Sequence, residues 1–287
     1  MDLSGRRESK NVVDRRGSTG TKVGAGIGCG GIILIIIISL LTGNNPMELL
    51  QRIGSQQQSQ GQTTTHVSSP EEDSLAVFTK KILAGTEDIW TEEFRKIGKT
   101  YQPPKLVLFT NSVQSGCGNA TSSVGPFYCS ADQTVYIDLS FFMNMKKQIG
   151  ADGDFAYAYV IAHEVGHHVQ NQLGILNAAH QKMAQVSKTE SNKISVCLEL
   201  QADYFAGVWA HHDNNRFKSL EDGDIEEGLN VASKIGDDYL QKQAYGYTVP
   251  ESFNHGTSAQ RARWLKKGLT TGDINGGDTF SVGYNNL

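Results

Sequence analysis

Two histidines stand four residues apart in the run HEVGH, with a glutamate directly after the first. The surrounding segment, Ala156–Gln170, carries an isoleucine and two valines at a spacing of four, which predicts the apolar stripe of an amphipathic helix. Residues i and i+4 share a helix face, so His163 and His167 can reach one point in space, with Glu164 beside it. This is the H-E-x-x-H pattern, in which two imidazoles bind zinc and the glutamate acts on a water. The alternative is a solvated helix that happens to carry two surface histidines.

A second predicted helix, Ile194–Ala210, carries a carboxylate pair with the same spacing. Glu199 and Asp203 are four residues apart and lie among apolar side chains, where a buried carboxylate is costly unless it is paired or bound to metal. Glu199 is therefore the candidate third zinc ligand. Asp203 is the candidate partner for the other ring nitrogen of His163. The metzincin pattern is excluded, because it requires glycine at position 170 and histidine at position 173, where this chain has glutamine and leucine.

The charge balance limits the class of partner. The chain has 287 residues and a net charge of −4, with no dense basic block in its body. This argues against a nucleic-acid-binding surface. The length suits one large domain or two small ones. The sequence leaves the oligomeric state open.

The four cysteines are too few for a disulfide-rich scaffold. Cys117 lies in a loop rich in glycine, serine and asparagine, and Cys129 follows shortly. If this part of the chain lies outside the cytoplasm, the two are candidates for a disulfide. Two free thiols are the alternative, since spacing alone does not establish a bridge. Cys197 is expected to be an unbridged core cysteine.

Composition divides the chain before residue 71 into three segments. Residues 1–22 are polar and basic without apolar periodicity, which predicts a disordered tail. Residues 23–43 contain no charge and are rich in isoleucine, and about 20 apolar residues suffice to cross a bilayer as a helix. No clear cleavage site follows, so a retained transmembrane helix is favoured over a cleaved signal peptide. Residues 44–70, rich in glutamine, serine and threonine, predict a flexible linker to a folded domain over 71–287.

The distribution of lysine and arginine predicts an orientation for that helix. Six of these residues precede the apolar segment, whereas only Arg52 follows it closely. The positive-inside rule then puts the N-terminus in the cytoplasm and everything after residue 43 across the membrane. The expected localisation is the cell membrane, with a single pass, a cytoplasmic N-terminal tail and an extracytoplasmic domain.

Two short strands are predicted among the helices of the domain, at Lys105–Thr110 and Gln133–Phe142. The second lies just before the HEVGH helix. It is either an edge strand along which an extended peptide could pair or an ordinary strand inside a sheet. Later in the chain, Asp224–Tyr245 has the spacing of one helix, and Thr257 or Ser258 can cap another.

Several motifs occur together along the chain: GPFYC at 125–129, VYIDLSFF at 135–142, HEVGHHVQ at 163–170, LELQAD at 198–203, and HGTS at 255–258 with Gln260, Arg261 and Trp264 after it. With the apolar segment, these motifs resemble the bacterial membrane-anchored neutral zinc metallopeptidases of the YpfJ type, over essentially the whole chain. The resemblance implies a gluzincin-like zinc peptidase with a glutamate as third ligand. The expected fold class is α+β: a mainly helical, zincin-like metallopeptidase domain with a small β-sheet, preceded by a single transmembrane helix.

The expected function is a membrane-anchored, zinc-dependent endopeptidase that acts on peptide or protein substrates. Zn²⁺ would be held by His163, His167 and Glu199, with Glu164 as general base. His255, in a loop segment that the family shares, is either an oxyanion donor or an ordinary surface or cap histidine. Two other classes remain as alternatives. One is a catalytically silent, metal-binding, membrane-tethered interaction module, and the other is a structural membrane protein without metal.

Overall fold

The computed structural model describes residues 1–17, 67–149 and 153–287. Within these ranges the helices are α1 (Pro70–Lys96), α2 (Ser140–Ile149), α3 (Asp154–Gln172), α4 (Ile175–Met183), α5 (Lys188–Phe217), α6 (Asp224–Lys234), α7 (Asp237–Tyr245) and α8 (Ser258–Thr271). The strands there are β1 (Val12–Asp14), β2 (Lys105–Phe109), β3 (Ser112–Ser115), β4 (Gly118–Thr121), β5 (Phe127–Cys129) and β6 (Thr134–Asp138). Short 3₁₀ turns lie at Ser122–Val124, Pro250–Ser252, Ile274–Gly277 and Tyr284–Asn286.

The larger sheet has the strand order β1-β2-β6-β5. Its first three strands are parallel, and β5 runs antiparallel to β6. Strand β6 is buried along its whole length and has a neighbour on each side. It is therefore the ordinary sheet strand of the two alternatives, and the edge next to it is β5. Strands β3 and β4 form a separate antiparallel hairpin.

Helix α3, which carries the HEVGH run, lies in the middle of the domain. It packs against α1, α5, α6 and β5. Nearly all of its side chains are buried, from Phe155 to Gln170. The amphipathic stripe predicts burial of one helix face only, whereas the structure covers several faces of this helix. Both histidines of the run are thus held by packing, since a helix buried in this way has little freedom to rotate or shift.

Two glycines let helices α5 and α8 meet backbone to backbone. A Cβ on Gly268 of α8 would lie 2.0 Å from the carbonyl oxygen of Tyr204, and a Cβ on Gly207 of α5 would lie 2.2 Å from that of Leu265. No other residue fits at either crossing point without moving a helix. Helix α8 begins with the predicted cap, Thr257, whose hydroxyl accepts from the backbone of Gln260.

Other element boundaries differ from the sequence expectation. The single helix predicted over Asp224–Tyr245 is two helices, α6 and α7, which meet at Gly236. A Cβ there would lie 2.2 Å from the backbone nitrogen of Ser258, so the break lets α8 start against this corner. The predicted strand Gln133–Phe142 ends at Asp138, and helix α2 begins at Ser140.

Residues 1–17, here called the N-terminal arm, are ordered, so the predicted disorder is wrong for this part of the chain. Strand β1 of the arm extends the sheet by pairing with β2, with Val12 opposite Leu106. The Arg6 guanidinium makes two hydrogen bonds to Asp213 near the end of α5, at 2.7 and 3.2 Å. The arm's basic residues, taken as the mark of a solvated tail, instead meet acidic partners on α1 and α5.

The expected fold class and localisation need correction. The predicted membrane span, residues 23–43, lies outside the described residues, as does most of the predicted linker. Among the helices that the structure describes, none is long and apolar enough to cross a membrane. The supported fold class is a mainly helical α+β domain with a small sheet, and the transmembrane helix is not part of it. The single-pass arrangement, with the tail and the domain on opposite sides, is also wrong, because β1 of the arm and β2 of the domain belong to one sheet.

Replacement of Arg6 by alanine is expected to lower the free energy of unfolding by about 3 kcal/mol. The Arg6 side chain is 9% exposed and the Asp213 side chain 1%, so the variant leaves a buried carboxylate without its cation. Urea unfolding of the full chain measures the loss. The matched control is Lys10→Ala in the exposed part of the arm, which should change stability by less than about 0.5 kcal/mol. Equal losses in the two variants would contradict the assigned role of the Arg6 contact.

Candidate metal centre

Three side chains from two helices converge on one point. His163 and His167 of α3 and Glu199 of α5 each offer one ligand atom, and these atoms lie within 4.8 Å of one another. His163 Nε2 is 3.2 Å from one Glu199 carboxylate oxygen, and His167 Nε2 is 3.6 Å from the other. Two imidazoles and a carboxylate at this spacing form a donor set that zinc accepts, with a coordination position left open.

The other ring nitrogen of each histidine is already engaged. His163 Nδ1 lies 2.8 Å from Asp203 Oδ1, and His167 Nδ1 lies 2.9 Å from Gln170 Oε1. An acceptor at Nδ1 places the proton of a neutral imidazole there and leaves the Nε2 lone pair for a metal. Both Nε2 atoms face Glu199, so the residues present fit a zinc ion.

A glycine inside the HEVGH run brings the two helices together. A Cβ on Gly166 would lie 2.9 Å from the carbonyl oxygen of Ala202 and 3.1 Å from its Cα. Gly166 stands between the two histidines in sequence, and Ala202 stands between Glu199 and Asp203. The closest approach of α3 and α5 is thus centred on the candidate ligands. Sequence reasoning treated this glycine as a variable position of the motif.

The carboxylate of Asp203 is the centre of a fully buried network. Its oxygens accept from the hydroxyl of Tyr159 at 2.6 Å, from His163, and from two guanidinium nitrogens of Arg261, each at 2.9 Å. Burial raises the pKa of Asp203, but the charges and hydrogen bonds of Arg261 and His163 together hold that pKa below its usual value. Asp203 is thus kept ionised and oriented toward His163.

Sequence reasoning found only one partner of Asp203. Tyr159 lies one turn before His163 on the same helix, and it was not singled out in the sequence. Arg261 appeared only as a member of a motif. Its position on the same helix face as the buried Trp264 and Leu265 was the available signal, since an arginine among core residues needs an acidic partner.

Glu164 lies beside the ligand set and is 8% exposed. Burial raises the pKa of its carboxyl to about 7, although the neighbouring His163 opposes this shift. The backbone of Tyr128, on β5, hydrogen-bonds to the carboxylate. A carboxyl whose pKa lies near neutrality can both accept and return a proton, which suits general acid–base work.

The electrostatics of the ligands favour positive charge at their centre. Burial by itself would lower the pKa of His163, but Asp203 and Glu199 raise it to about 10. Burial also dominates at His167 and lowers its pKa to about 4. For Glu199, burial alone would raise the pKa, whereas the two imidazoles, His167 first, hold it low. A buried carboxylate that retains its charge in this way provides a site for a cation.

His255 is buried, which excludes the surface alternative. Only 5% of it is exposed, and its Nδ1 lies 3.1 Å from Asp237 Oδ1. The other oxygen of Asp237 accepts from the backbone nitrogens of residues 254, 255 and 256. The charge of His255 contributes to the low pKa of Glu199, so the imidazole lies near the ligand set. Asp237, which holds this loop, was not singled out in the sequence.

The contacts of His168 and of the cysteines hold the fold together and do not involve the ligand set. His168 Nε2 donates to the Gln102 carbonyl at 2.7 Å, and its Nδ1 lies 2.9 Å from the Tyr128 hydroxyl. The contact with Tyr128 ties α3 to β5. Cys117 and Cys129 form a disulfide with an S–S distance of 2.07 Å. Cys197 is a free, buried cysteine.

Comparison with known proteins gives consistent results. The family described as "Putative neutral zinc metallopeptidase" matches residues 1–280. The chain is 51% identical to "Uncharacterized protein YpfJ" of Escherichia coli (strain K12) over 286 residues, which are 98% of this chain and 99% of that protein. It is 44% identical to "Uncharacterized protein Rv2575" of Mycobacterium tuberculosis over 192 residues, 63% of this chain and 64% of that protein. No solved structure is significantly similar to this chain.

Proposed function

The chain belongs to the neutral zinc metallopeptidase family, and from that premise we propose that it is a zinc-dependent endopeptidase. Its substrates are peptides or proteins, in which it hydrolyses peptide bonds. One observation carries the proposal: the Nε2 atoms of His163 and His167 converge with the Glu199 carboxylate, and a buried glutamate stands beside them. The family implies zinc as the cofactor.

His163, His167 and Glu199 would hold the zinc ion. Zinc in such a site lowers the pKa of water and polarises the carbonyl of the bond to be cut. The Asp203 carboxylate orients the His163 ring from behind and keeps its Nε2 directed at the centre. Gln170 does the same for His167.

Glu164 is the proposed general base and acid. Its carboxylate takes a proton from the attacking water and later delivers it to the leaving amine. The raised pKa of this buried carboxyl, about 7, matches both steps near neutral pH. The hydrogen bond with the Tyr128 backbone holds the carboxylate next to β5.

His255 is the proposed donor to the oxygen that gains charge in the transition state. Asp237 engages its Nδ1, which leaves Nε2 for the substrate. Burial lowers the pKa of His255, but the charge and hydrogen bond of Asp237, together with the charge of Glu199, bring that pKa above its usual value. An imidazolium carries a proton on both nitrogens, so the ring can donate from Nε2 while it remains bound to Asp237.

The first test is zinc content of the full chain beside that of Glu199→Ala. We expect about one zinc ion per chain in the parent, because two imidazoles and a carboxylate that converge on one point form a donor set that zinc accepts. We expect a clear loss of zinc in the variant, measured by mass spectrometry of the metal after dialysis. Glu226→Ala, at an exposed position of α6, is the control that should retain parental zinc. Zinc-free parent protein would overturn the metal site, whereas zinc without cleavage of an unfolded protein would indicate a binding module.

A further inference from the structure

A chain of amide hydrogen bonds runs from the C-terminal part of the protein to the candidate ligand His167. The Gln201 side chain, on α5, donates through Nε2 to the Gly277 carbonyl at 2.8 Å. The Gln170 side chain, on α3, donates through Nε2 to Gln201 Oε1 at 3.1 Å, and its own Oε1 lies 2.9 Å from His167 Nδ1. Gln170 is fully buried and Gln201 is 4% exposed, so solvent does not compete for these groups.

Two backbone carbonyls fix the direction of these bonds. A carbonyl oxygen can only accept, so the amide group that faces it must be the NH₂ end. The Gly277 carbonyl therefore faces the NH₂ end of Gln201, which turns the oxygen of this amide toward Gln170. The Leu198 carbonyl, 2.7 Å from Gln170 Nε2, orients the second amide in the same way. The Gln170 oxygen then faces the His167 ring, where Nδ1 must be the donor.

The direction of the chain decides which nitrogen of His167 carries the proton. A neutral imidazole has one N–H, and a metal needs the lone pair of the other nitrogen. The competing tautomer has its proton on Nε2, directed at the Glu199 carboxylate 3.6 Å away. Attraction between this N–H and the carboxylate favours the competing form, which cannot bind zinc. The amide chain opposes it, because the competing form brings an unprotonated Nδ1 against the Gln170 oxygen.

The two histidine ligands differ in how their partners select a tautomer. The Asp203 carboxylate beside His163 can only accept, so it selects the correct tautomer by itself. A glutamine amide can turn over and donate instead, so Gln170 selects the tautomer only while its orientation is held. Both of its amide hydrogens have an acceptor, and Gln201 is one of the two. A turned amide would place its oxygen against both acceptors.

We propose that Gln201 is a positioning residue of the zinc site, which holds the Gln170 amide in the orientation that keeps the His167 proton on Nδ1. The Gly277 carbonyl in turn orients Gln201, so the C-terminal part of the chain contributes to the metal centre. Gln201 acts through Gln170 and not on the metal itself. The proposal rests on the zinc centre of the function proposed above.

The first measurement is the tautomer of His167 in the zinc-free, full-length protein. NMR of the ring nitrogens in protein with isotope-labelled histidine distinguishes the two neutral forms, and a His167→Gln sample identifies the signals. We expect the proton on Nδ1 in the parent. A parent with the proton on Nε2 would overturn the proposal, and this result does not depend on whether any variant folds.

Gln201→Met keeps the length of the side chain and removes its acceptor. We expect both tautomers of His167 in the zinc-free variant and a fall in zinc affinity of about tenfold, the lower end of the range for groups that orient a metal ligand. Thr279→Val is the matched control, since the buried Thr279 hydroxyl ties the same part of the chain to the Cys197 carbonyl of α5. It should leave the tautomer and the zinc affinity unchanged. Equal effects of the two variants would overturn the specific role of Gln201.

A double variant tests whether Gln201 acts through Gln170. Gln170→Met removes the intermediate amide and is expected to lower zinc affinity by about 10- to 100-fold. Adding Gln201→Met to this variant should then cause no further loss, because the link to His167 is already broken. A further loss as large as that of Gln201→Met alone would show that the two residues act independently, and it would overturn the proposal.

The tautomer and the zinc affinity are measured without a substrate, which separates this proposal from the peptidase function. A protein that shows the expected tautomers and zinc affinities but cuts no peptide overturns the peptidase function alone. A parent that binds no zinc overturns the metal centre and the role of Gln201 with it.

Discussion

Glu164→Gln is expected to lower kcat for peptide hydrolysis by about 10² to 10⁴ while zinc content stays at the parental level. Glutamine has nearly the same shape as glutamate, so packing around this buried side chain is retained. Its amide cannot accept a proton from water at neutral pH. The proposed metal ligands are His163, His167 and Glu199, and none of them is altered.

Rates of casein-peptide cleavage, measured beside zinc content, check this expectation. Glu226→Gln makes the same chemical change at an exposed position and should behave as the parent. A Glu164→Gln protein that cleaves at the parental rate would disprove the general-base role. If the variant also loses zinc, the glutamate contributes to the metal site in a way that the geometry does not indicate.

Asp203→Ala is expected to have two large effects on the protein. The first is a loss of about 3 to 5 kcal/mol in the free energy of unfolding, because Arg261 stays buried without its partner carboxylate. The second is a fall in zinc affinity of about 10- to 100-fold, because the His163 ring loses the acceptor at Nδ1. Thermal unfolding in the presence of a chelator isolates the first effect, and competitive zinc titration measures the second.

A double variant separates the two effects. Asp203→Leu with Arg261→Met replaces the ion pair by apolar side chains of similar size, and such replacements are often neutral or stabilising. Stability should return toward the parental value, while zinc affinity should remain low, since His163 still lacks its acceptor. Recovery of both properties would show that Asp203 supports the metal site only through folding.

Local sequence signals predicted the parts of this protein that depend on neighbouring residues. The helical period alone puts His163 and His167 on one face, and the same period pairs Glu199 with Asp203. The cap at Thr257 starts a helix at one of the two positions that were expected, because a hydroxyl before a helix satisfies nearby backbone N–H groups. The family resemblance is confirmed by a match over residues 1–280.

The tertiary structure decided how those local elements meet. Gly166 and Gly268 are ordinary in sequence, and only the packed helices show that each stands where a side chain would strike the backbone of α5. Arg261 and Asp203 are 58 residues apart, and Arg6 and Asp213 are 207 apart. A single sequence gives no sign of which distant charges pair, because burial and partner are set together by packing.

The N-terminal arm is the clearest case in which the sequence did not show which distant charges pair. The arm has the composition of a solvated tail. The prediction of disorder was wrong for it because its basic residues have acidic partners on α1 and α5. The sequence by itself therefore determined the chemistry of the candidate site, since ligand spacing follows from one helical period. Only the tertiary structure decided what surrounds that site, since the positions of Arg261, Asp237 and the arm depend on contacts between residues far apart in the chain.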